Sequence, residues 1–333
     1  MKKTFILKNN LGMEVTFSPF GASILDILLT FENGEKRIVT MRPKSLKDFC
    51  FSSGYYGKTI GRNAGRLENG KFSIEGSEYQ VLEAKPNHGL HGGDKGLSNV
   101  LFDYELYSDN QGRGIIFSRQ IKRLEDGFPG NLRVFVTYFL HKDEHKLEIR
   151  YEAKSDANTI CNLTSHTYFN LDGAGEILNH RLHINADKFA EISEHIIPTK
   201  IVDVSEVMDF RLDKRIGTHI KSDQLSKAAC GYDHPFILNN ADLRNPSAIL
   251  SSTKMDLKLN IYTTYPCLVF YSGNYPTNEE MTLTKTIKKY SALALEPQYL
   301  PNAINQCLGQ TKTGLLKAGS LYQETIIYEF VTK

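Results

Sequence analysis

The sequence predicts an all-β protein, one large and mainly antiparallel β-sandwich over residues 1–333 with a few short helices. Three observations point there. Short runs rich in β-branched and aromatic residues recur along the chain. Turn chemistry punctuates them, as in Glu32-Asn-Gly34, Glu68-Asn-Gly70 and Asp126-Gly-Phe-Pro-Gly130. Extended helical periodicity is scarce, and no internal repeat, low-complexity tract or long linker divides the chain. A length of 333 residues is large for an ordinary domain, but a big sandwich reaches it as one unit.

The N-terminus briefly imitates a signal peptide, with two lysines before an apolar run. That run stops at Leu7 and is followed by Lys8, Asn9 and Asn10 without a cleavage-site pattern, so it reads as a first strand. Further strands are expected at 13–18, 23–30, 72–74, 79–82, 100–107 and 114–121. Arg133–Leu140 and Leu147–Ala153 flank the charged tip His141–Lys146, the pattern of a hairpin. Strands at 182–184, 257–263, 267–272, 291–296 and 323–331 complete the set. Lys44–Phe49 can hold one short helix, and 205–208, 222–227 and 302–305 single helical turns. Long loops close the sandwich.

Composition excludes several classes of partner. Forty Lys and Arg face 38 Asp and Glu, a net charge of +2, so no strong field points to nucleic acid or an acidic membrane. A neutral small molecule suits that balance. No 18 apolar residues run together, so no membrane span is expected. Cys50, Cys161, Cys230, Cys267 and Cys307 are odd in number, scattered and without a C-x-x-C pair. They read as free thiols of a reducing, cytoplasmic location. The sequon Asn162-Leu163-Thr164 is then accidental.

Five clusters carry chemistry beside Gly, Pro or aromatics: Gly61–Leu67, Asn87–Gly93, Asn162–Leu171, Gly231–Phe236 and Leu293–Gln298. Loops held by a rigid sheet are where binding groups gather. Each cluster also has a plain structural reading. Gly61–Leu67 matches no phosphate-loop pattern and alone reads as a turn. His88 and His91 could ligate a metal, yet no H-x-H or H-E-x-x-H spacing supports a site. His166 alone could be a core histidine satisfied by a backbone carbonyl. Glu296 ends an apolar strand beside a proline that stops the ladder, and pairing with Arg66 would account for it. Asp233 could cap the turn before Pro235.

Taken in order, the clusters resemble the motif set of the aldose 1-epimerase (galactose mutarotase) family. The most specific are Leu90-His-Gly-Gly93, His166-Thr-Tyr-Phe-Asn-Leu171, Asp233-His-Pro-Phe236 and Glu296-Pro-Gln298 followed by Pro301-Asn-Ala303. The likeness runs from Phe20-Gly-Ala22 to the closing Tyr322–Phe330 strand. It implies a galactose mutarotase-like supersandwich with Glu296 as general base and His166 as general acid. Arg66, His91 and Asp233 would hold sugar hydroxyls, with Tyr168 beside them. Gly65 replaces the Asn that many members carry before the Arg. Tyr265 stands where a sugar-contacting Gln is common and is expected to stack on a pyranose, and Asn302 replaces a frequent Asp.

The implied reaction interconverts the anomers of a free aldose, galactose or glucose. A base removes the anomeric proton, an acid protonates the ring oxygen, and the ring recloses on the other aldehyde face. No metal or cofactor is expected, and the enzyme is expected to work as a monomer or homodimer. The acid and base are expected on opposite edges of one pocket, with neighbouring carboxylates raising the pKa of His166. Three alternatives stay open: a non-catalytic carbohydrate-binding sandwich, a glycosidase using Glu296 with Asp233, and an epimerase for a disaccharide such as maltose or for a phosphosugar held by Arg66 and Arg62.

Overall fold

The computed structural model describes residues 3–82, 88–226, 229–285 and 287–333. Met1 and Lys2 of the expected first strand, Asn87 of the glycine-rich cluster and Lys227 of one expected turn lie outside the described residues.

Three sheets carry the architecture. The largest has nine strands. In spatial order these are Lys214–Arg215, Arg181–Ile184, Ala248–Ser251, Leu257–Thr263, Tyr322–Thr332, Lys146–Ser155, Leu132–His141, Gly112–Ile121 and Asp103–Ser108. A six-stranded sheet runs Tyr168–Phe169, Leu293–Gln298, Cys267–Tyr271, Asp233–Ile237, Lys188–Ile192 and Pro198–Asp203. Phe5–Lys8, Glu14–Ser18, Ser23–Thr30 and Lys36–Ile38 form a third sheet. The strand ladders are antiparallel throughout.

The two-residue period of a strand decides what each sheet buries. In the large sheet, Ile115, Tyr138, Ile149 and Ile326 fall in one cross-strand row and Phe117, Val136 and Tyr151 in another, all turned inward. They join one core with Leu293, Leu295, Leu268, Phe270 and Phe236 of the six-stranded sheet. The intervening residues of that second sheet, among them Glu296 and Gln298, must therefore face the other way. The fold sets up a site by leaving this second face free.

Two strands differ from expectation. Leu293–Gln298 runs through Pro297, so Glu296 lies inside the strand rather than at its end. Asp233–Ile237, expected as a turn, is also a strand and contains Pro235. A proline gives up a ladder hydrogen bond, so it needs a place with a free side. Past Leu293 and Ala294 the first strand has a partner on one side only, and the second pairs with Lys188–Ile192 only at Phe236 and Ile237. The short helix is Leu46–Phe51, where the Ser45 hydroxyl accepts the Asp48 N–H at 3.0 Å, a side-chain N-cap.

Arg62 is part of the scaffold. Its side chain is fully buried, with Nε donating to Asp126 Oδ2 at 2.8 Å and Nη1 to the carbonyls of Pro129 and Gly130. It is unavailable to a phosphate, which corrects its expected place in a phosphosugar site. Asn162 of the sequon is buried too, its Oδ1 accepting the Tyr299 N–H at 2.9 Å. The five cysteines are free thiols, and no helix among the described residues is long and apolar enough to cross a membrane.

Removing one partner of a buried ion pair strands the other charge. Asp126→Ala should therefore lower unfolding stability by about 3–5 kcal/mol, read as a shift in urea midpoint. A change under about 0.5 kcal/mol, the size typical of surface substitutions, would show that Arg62 finds another partner.

Candidate functional site

The free face of the six-stranded sheet floors a cavity of about 270 Å³. Alternation supplies the floor residues: Glu296 and Gln298 on one strand, Val269 and Tyr271 on the next, Asp233 and Pro235 on the third. Register aligns them, with Glu296 opposite Val269, Val269 opposite Pro235, and Tyr271 opposite Asp233. Loops bring Tyr55, Tyr56, Gly65, Arg66 and His91 over this floor. Residues 230 positions apart in sequence thus share one small chamber.

His166 enters between the strands Thr164–Ser165 and Tyr168–Phe169. Its backbone is held at both ends: its N–H donates to Lys58 O at 3.0 Å and its carbonyl accepts the Gly57 N–H at 2.8 Å. Its ring lies nearly parallel to Tyr168 at 4.9 Å and to Tyr55 at 5.7 Å. Nε2 is 3.5 Å from Glu296 Oε1. The expected opposite-edge arrangement is therefore corrected: the two side chains are neighbours. Nδ1 of His166 and Oε2 of Glu296 are buried without a hydrogen-bond partner among the described residues, so His166 is not a core histidine satisfied by a carbonyl.

Gly65 and His91 lock two loops together. The Gly65 N–H donates to His91 Nδ1 at 3.2 Å, and the His91 N–H donates to Gly65 O at 3.0 Å. Gly65 has φ +77°, and a Cβ there would sit 2.7 Å from Pro301 Cβ. Asn tolerates that conformation but not that collision, which explains the glycine in this chain. His91 also adopts left-handed backbone, φ 55° and ψ 34°, a conformation that marks a side chain aimed by its surroundings. Arg66 Nη1 is 4.0 Å from Asp233 Oδ2, so its ion partner is Asp233 and not Glu296.

Burial dominates the protonation of this site. It pushes the Glu296 carboxyl well above its ordinary range, helped by Asp233 and opposed by Arg66. Burial lowers His166 to about 3. The expectation that nearby carboxylates would raise His166 is not met: burial is the leading influence on it, and it pushes the neighbouring carboxyls of Glu296 and Asp233 upward as well. His91 is also driven well below its usual value by burial, then by His166 and Arg66. Burial therefore favours the neutral imidazole at His166 and the protonated carboxyl at Glu296.

Ligand atoms of His91, His166 and Glu296 lie within 4.8 Å of one another, a grouping that could attract a metal ion. The donor chemistry does not suit one. His91 accepts an N–H at Nδ1, so its neutral ring keeps the proton on Nε2 and offers no lone pair there.

Of the residues expected from sequence, Gly65, Arg66, His91, His166, Tyr168, Asp233 and Glu296 all line the chamber. Tyr265 does not, and its expected stacking on sugar is corrected. It is fully buried in the core, with its hydroxyl 2.6 Å from that of Tyr322 and its ring packed against Tyr299. The strand that follows it presents Val269 and Tyr271 instead. Tyr55, Tyr56, Tyr271 and Tyr275 went unforeseen; the run Gly54-Tyr-Tyr-Gly57, paired aromatics between glycines, was the available signal.

The family profile described as Aldose 1-epimerase matches residues 3–329. The aldose 1-epimerase of Escherichia coli K12 is 31% identical over 332 residues, covering 98% of this chain and 94% of that protein. The galactose mutarotase of Sus scrofa is 32% identical, with coverage of 96% and 91%. Among solved structures, galactose 1-epimerase from Lactobacillus acidophilus superposes with a TM-score of 0.85 at 29% identity, covering 98% and 93% of the two chains. The aldose epimerase homologue of C. elegans gives 0.87 at 26% identity, covering 99% of each.

A folded-state pKa above the unfolded one means that the native protein holds a proton the unfolded chain has released. For Glu296 stability must fall as pH rises from about 4.5 through its raised value. Glu296→Gln removes that loss, so its Tm should exceed the parent's by at least about 2 °C at pH 8 and match it at pH 4. A variant less stable at pH 8 would show that the carboxylate is stabilised where it sits. His166 acts with the opposite sign: its folded value near 3 makes stability fall as pH drops below about 6.5, a loss His166→Asn should abolish.

Proposed function

The chain belongs to the aldose 1-epimerase family of isomerases, and we propose that it interconverts the α and β anomers of a free aldohexose, galactose or glucose, with Glu296 and His166 moving the protons. The observation that carries this reading is the 3.5 Å approach of His166 Nε2 to Glu296 Oε1 inside one chamber. The anomeric hydroxyl and the ring oxygen are bonded to one carbon, so a neighbouring carboxyl and imidazole can serve both at once.

The pair holds one proton, and the reaction moves one. Glu296 as carboxylate with His166 as imidazolium is a tautomer of the resting uncharged pair, not a different protonation state. Substrate hydroxyls that hydrogen-bond the pair replace the water that burial removed and lower the cost of reaching the charged tautomer. Glu296 then takes the anomeric proton while His166 protonates the ring oxygen. Rotation about C1–C2 turns the aldehyde, and closure reverses the two roles. Arg66 and the Nε2–H of His91 donate to sugar hydroxyls, Asp233 accepts, and Tyr168 fixes the plane of the His166 ring.

Three features favour this over the alternatives. A binding module needs sugar contacts but no carboxyl and imidazole brought to within 3.5 Å of each other. A glycosidase would need Asp233 free for chemistry, and Asp233 leans on Arg66. A phosphosugar site would need several cations, and with Arg62 committed to Asp126 only Arg66, of the Lys and Arg among the described residues, lines the chamber.

Polarimetry on freshly dissolved single anomers tests the proposal. After exhaustive chelation and without nucleotide, the protein should accelerate mutarotation of galactose or glucose. His166→Asn and Glu296→Gln should each lower kcat by roughly 10²–10⁴-fold. The pH profile should be a broad plateau whose limbs report gain of a second proton and loss of the single one. Dependence on an added metal or nicotinamide, or near-normal turnover by folded His166→Asn, would overturn the mechanism.

A further inference from the structure

Gln298 carries no role in the chemistry above, yet it is built like a ligand-binding residue. It is 1% exposed, lines the chamber, and its Oε1 is buried without a hydrogen-bond partner among the described residues. A buried amide left unpaired costs stability, and a site that keeps one has something to pair it with.

Its position indicates which part of a sugar that is. Three residues neighbour Glu296 on the cavity side of the sheet: Ala294 and Gln298 along its own strand, and Val269 opposite on the next. Only Gln298 is polar. The Cα of Tyr168 pairs with Ala294, the His166 ring lies parallel to Tyr168, and His166 Nε2 meets Glu296. The proton partner therefore stands toward the Ala294 end of the strand. Gln298 stands on the other side of Glu296, two residues or about 6.7 Å along. On the proposed mechanism the ring oxygen faces His166 and the anomeric hydroxyl faces Glu296. The remaining ring neighbour of the anomeric carbon is C2, and it extends away from the ring oxygen, toward Gln298.

We propose that Gln298 is a specificity-determining residue whose carboxamide holds the hydroxyl on ring carbon 2. The substrate class is thereby narrowed to aldoses carrying a free 2-hydroxyl. This inference rests on the epimerase reading, and the experiment separates the two. Mutarotation of the better of galactose and glucose is compared with that of its 2-deoxy form, each kcat/KM divided by the uncatalysed rate of the same sugar. The parent protein should favour the 2-hydroxy sugar by about 10- to 100-fold, the range expected when a buried polar group loses its partner.

Gln298→Met keeps the length and removes the amide. It should bring the two sugars within about threefold of each other, by slowing the 2-hydroxy sugar and sparing the 2-deoxy one. Gln298→Asn, which keeps the amide on a shorter stem, should fall between and serves where the Met variant does not fold. A ratio near one in the parent protein, or a parent-like ratio in either folded variant, overturns the inference while leaving the epimerase reading standing. No acceleration of any aldose overturns both.

Discussion

Burial of a carboxyl and an imidazole side by side, Glu296 and His166, is the constraint on which the rest of this structure depends. Neither Glu296 nor His166 is comfortable where it sits. Water would stabilise the carboxylate and the imidazolium, and burial keeps both side chains from bulk solvent. What holds them is geometry fixed elsewhere. Glu296 sits on a strand whose alternate residues, Leu293 and Leu295, are anchored in the sandwich core. His166 is pinned through its own backbone to Lys58 and Gly57. Core packing and backbone hydrogen bonds thus offset the cost of the pair, a common exchange of stability for a poised site.

The loops above the floor are tied to each other. Gly65 and His91 exchange hydrogen bonds in both directions, so the loop bearing Arg66 and the loop bearing His91 are placed together. Pro301 then closes on Gly65, allowing no side chain at that position. One consequence is chemical as well as steric. Because Nδ1 of His91 is occupied as an acceptor, its Nε2 must be a donor, and a sugar oxygen is a better match for it than a cation.

Much of the fold was legible because its long strands alternate cleanly. Leu132–His141 and Lys146–Ser155 announce themselves as a hairpin, and the structure pairs them residue for residue. Lys188–Ile192 and Asp233–Ile237 were not legible, since one has consecutive buried residues and the other carries a proline and a histidine. The grouping of Arg66, His91, His166, Asp233 and Glu296 came from an ordered set of motifs; no spacing in the chain could supply the cross-strand register that assembles them. Tyr265 shows the reverse failure. It lies close in sequence to residues of the floor, but a difference of a few positions separates the core face from the cavity face. Protonation is not legible for a related reason: the charges around His166 are visible in sequence, whereas the depth of its burial is not.

A symmetric reaction explains why an uncharged pair with a single proton is a serviceable resting state. Interconversion of anomers has the same chemical groups on both sides, so each direction uses the acid and the base in exchanged order. A pair strongly committed to carboxylate and imidazolium would favour opening, whereas closure starts from the uncharged pair that opening leaves. Burial of both partners narrows that commitment, since the charged tautomer is reached only while sugar hydroxyls occupy the chamber and is given up when they leave. On this reading the small cavity does two things with one physical effect. The same exclusion of water that opposes charge on Glu296 and His166 makes the arriving sugar the group that permits it.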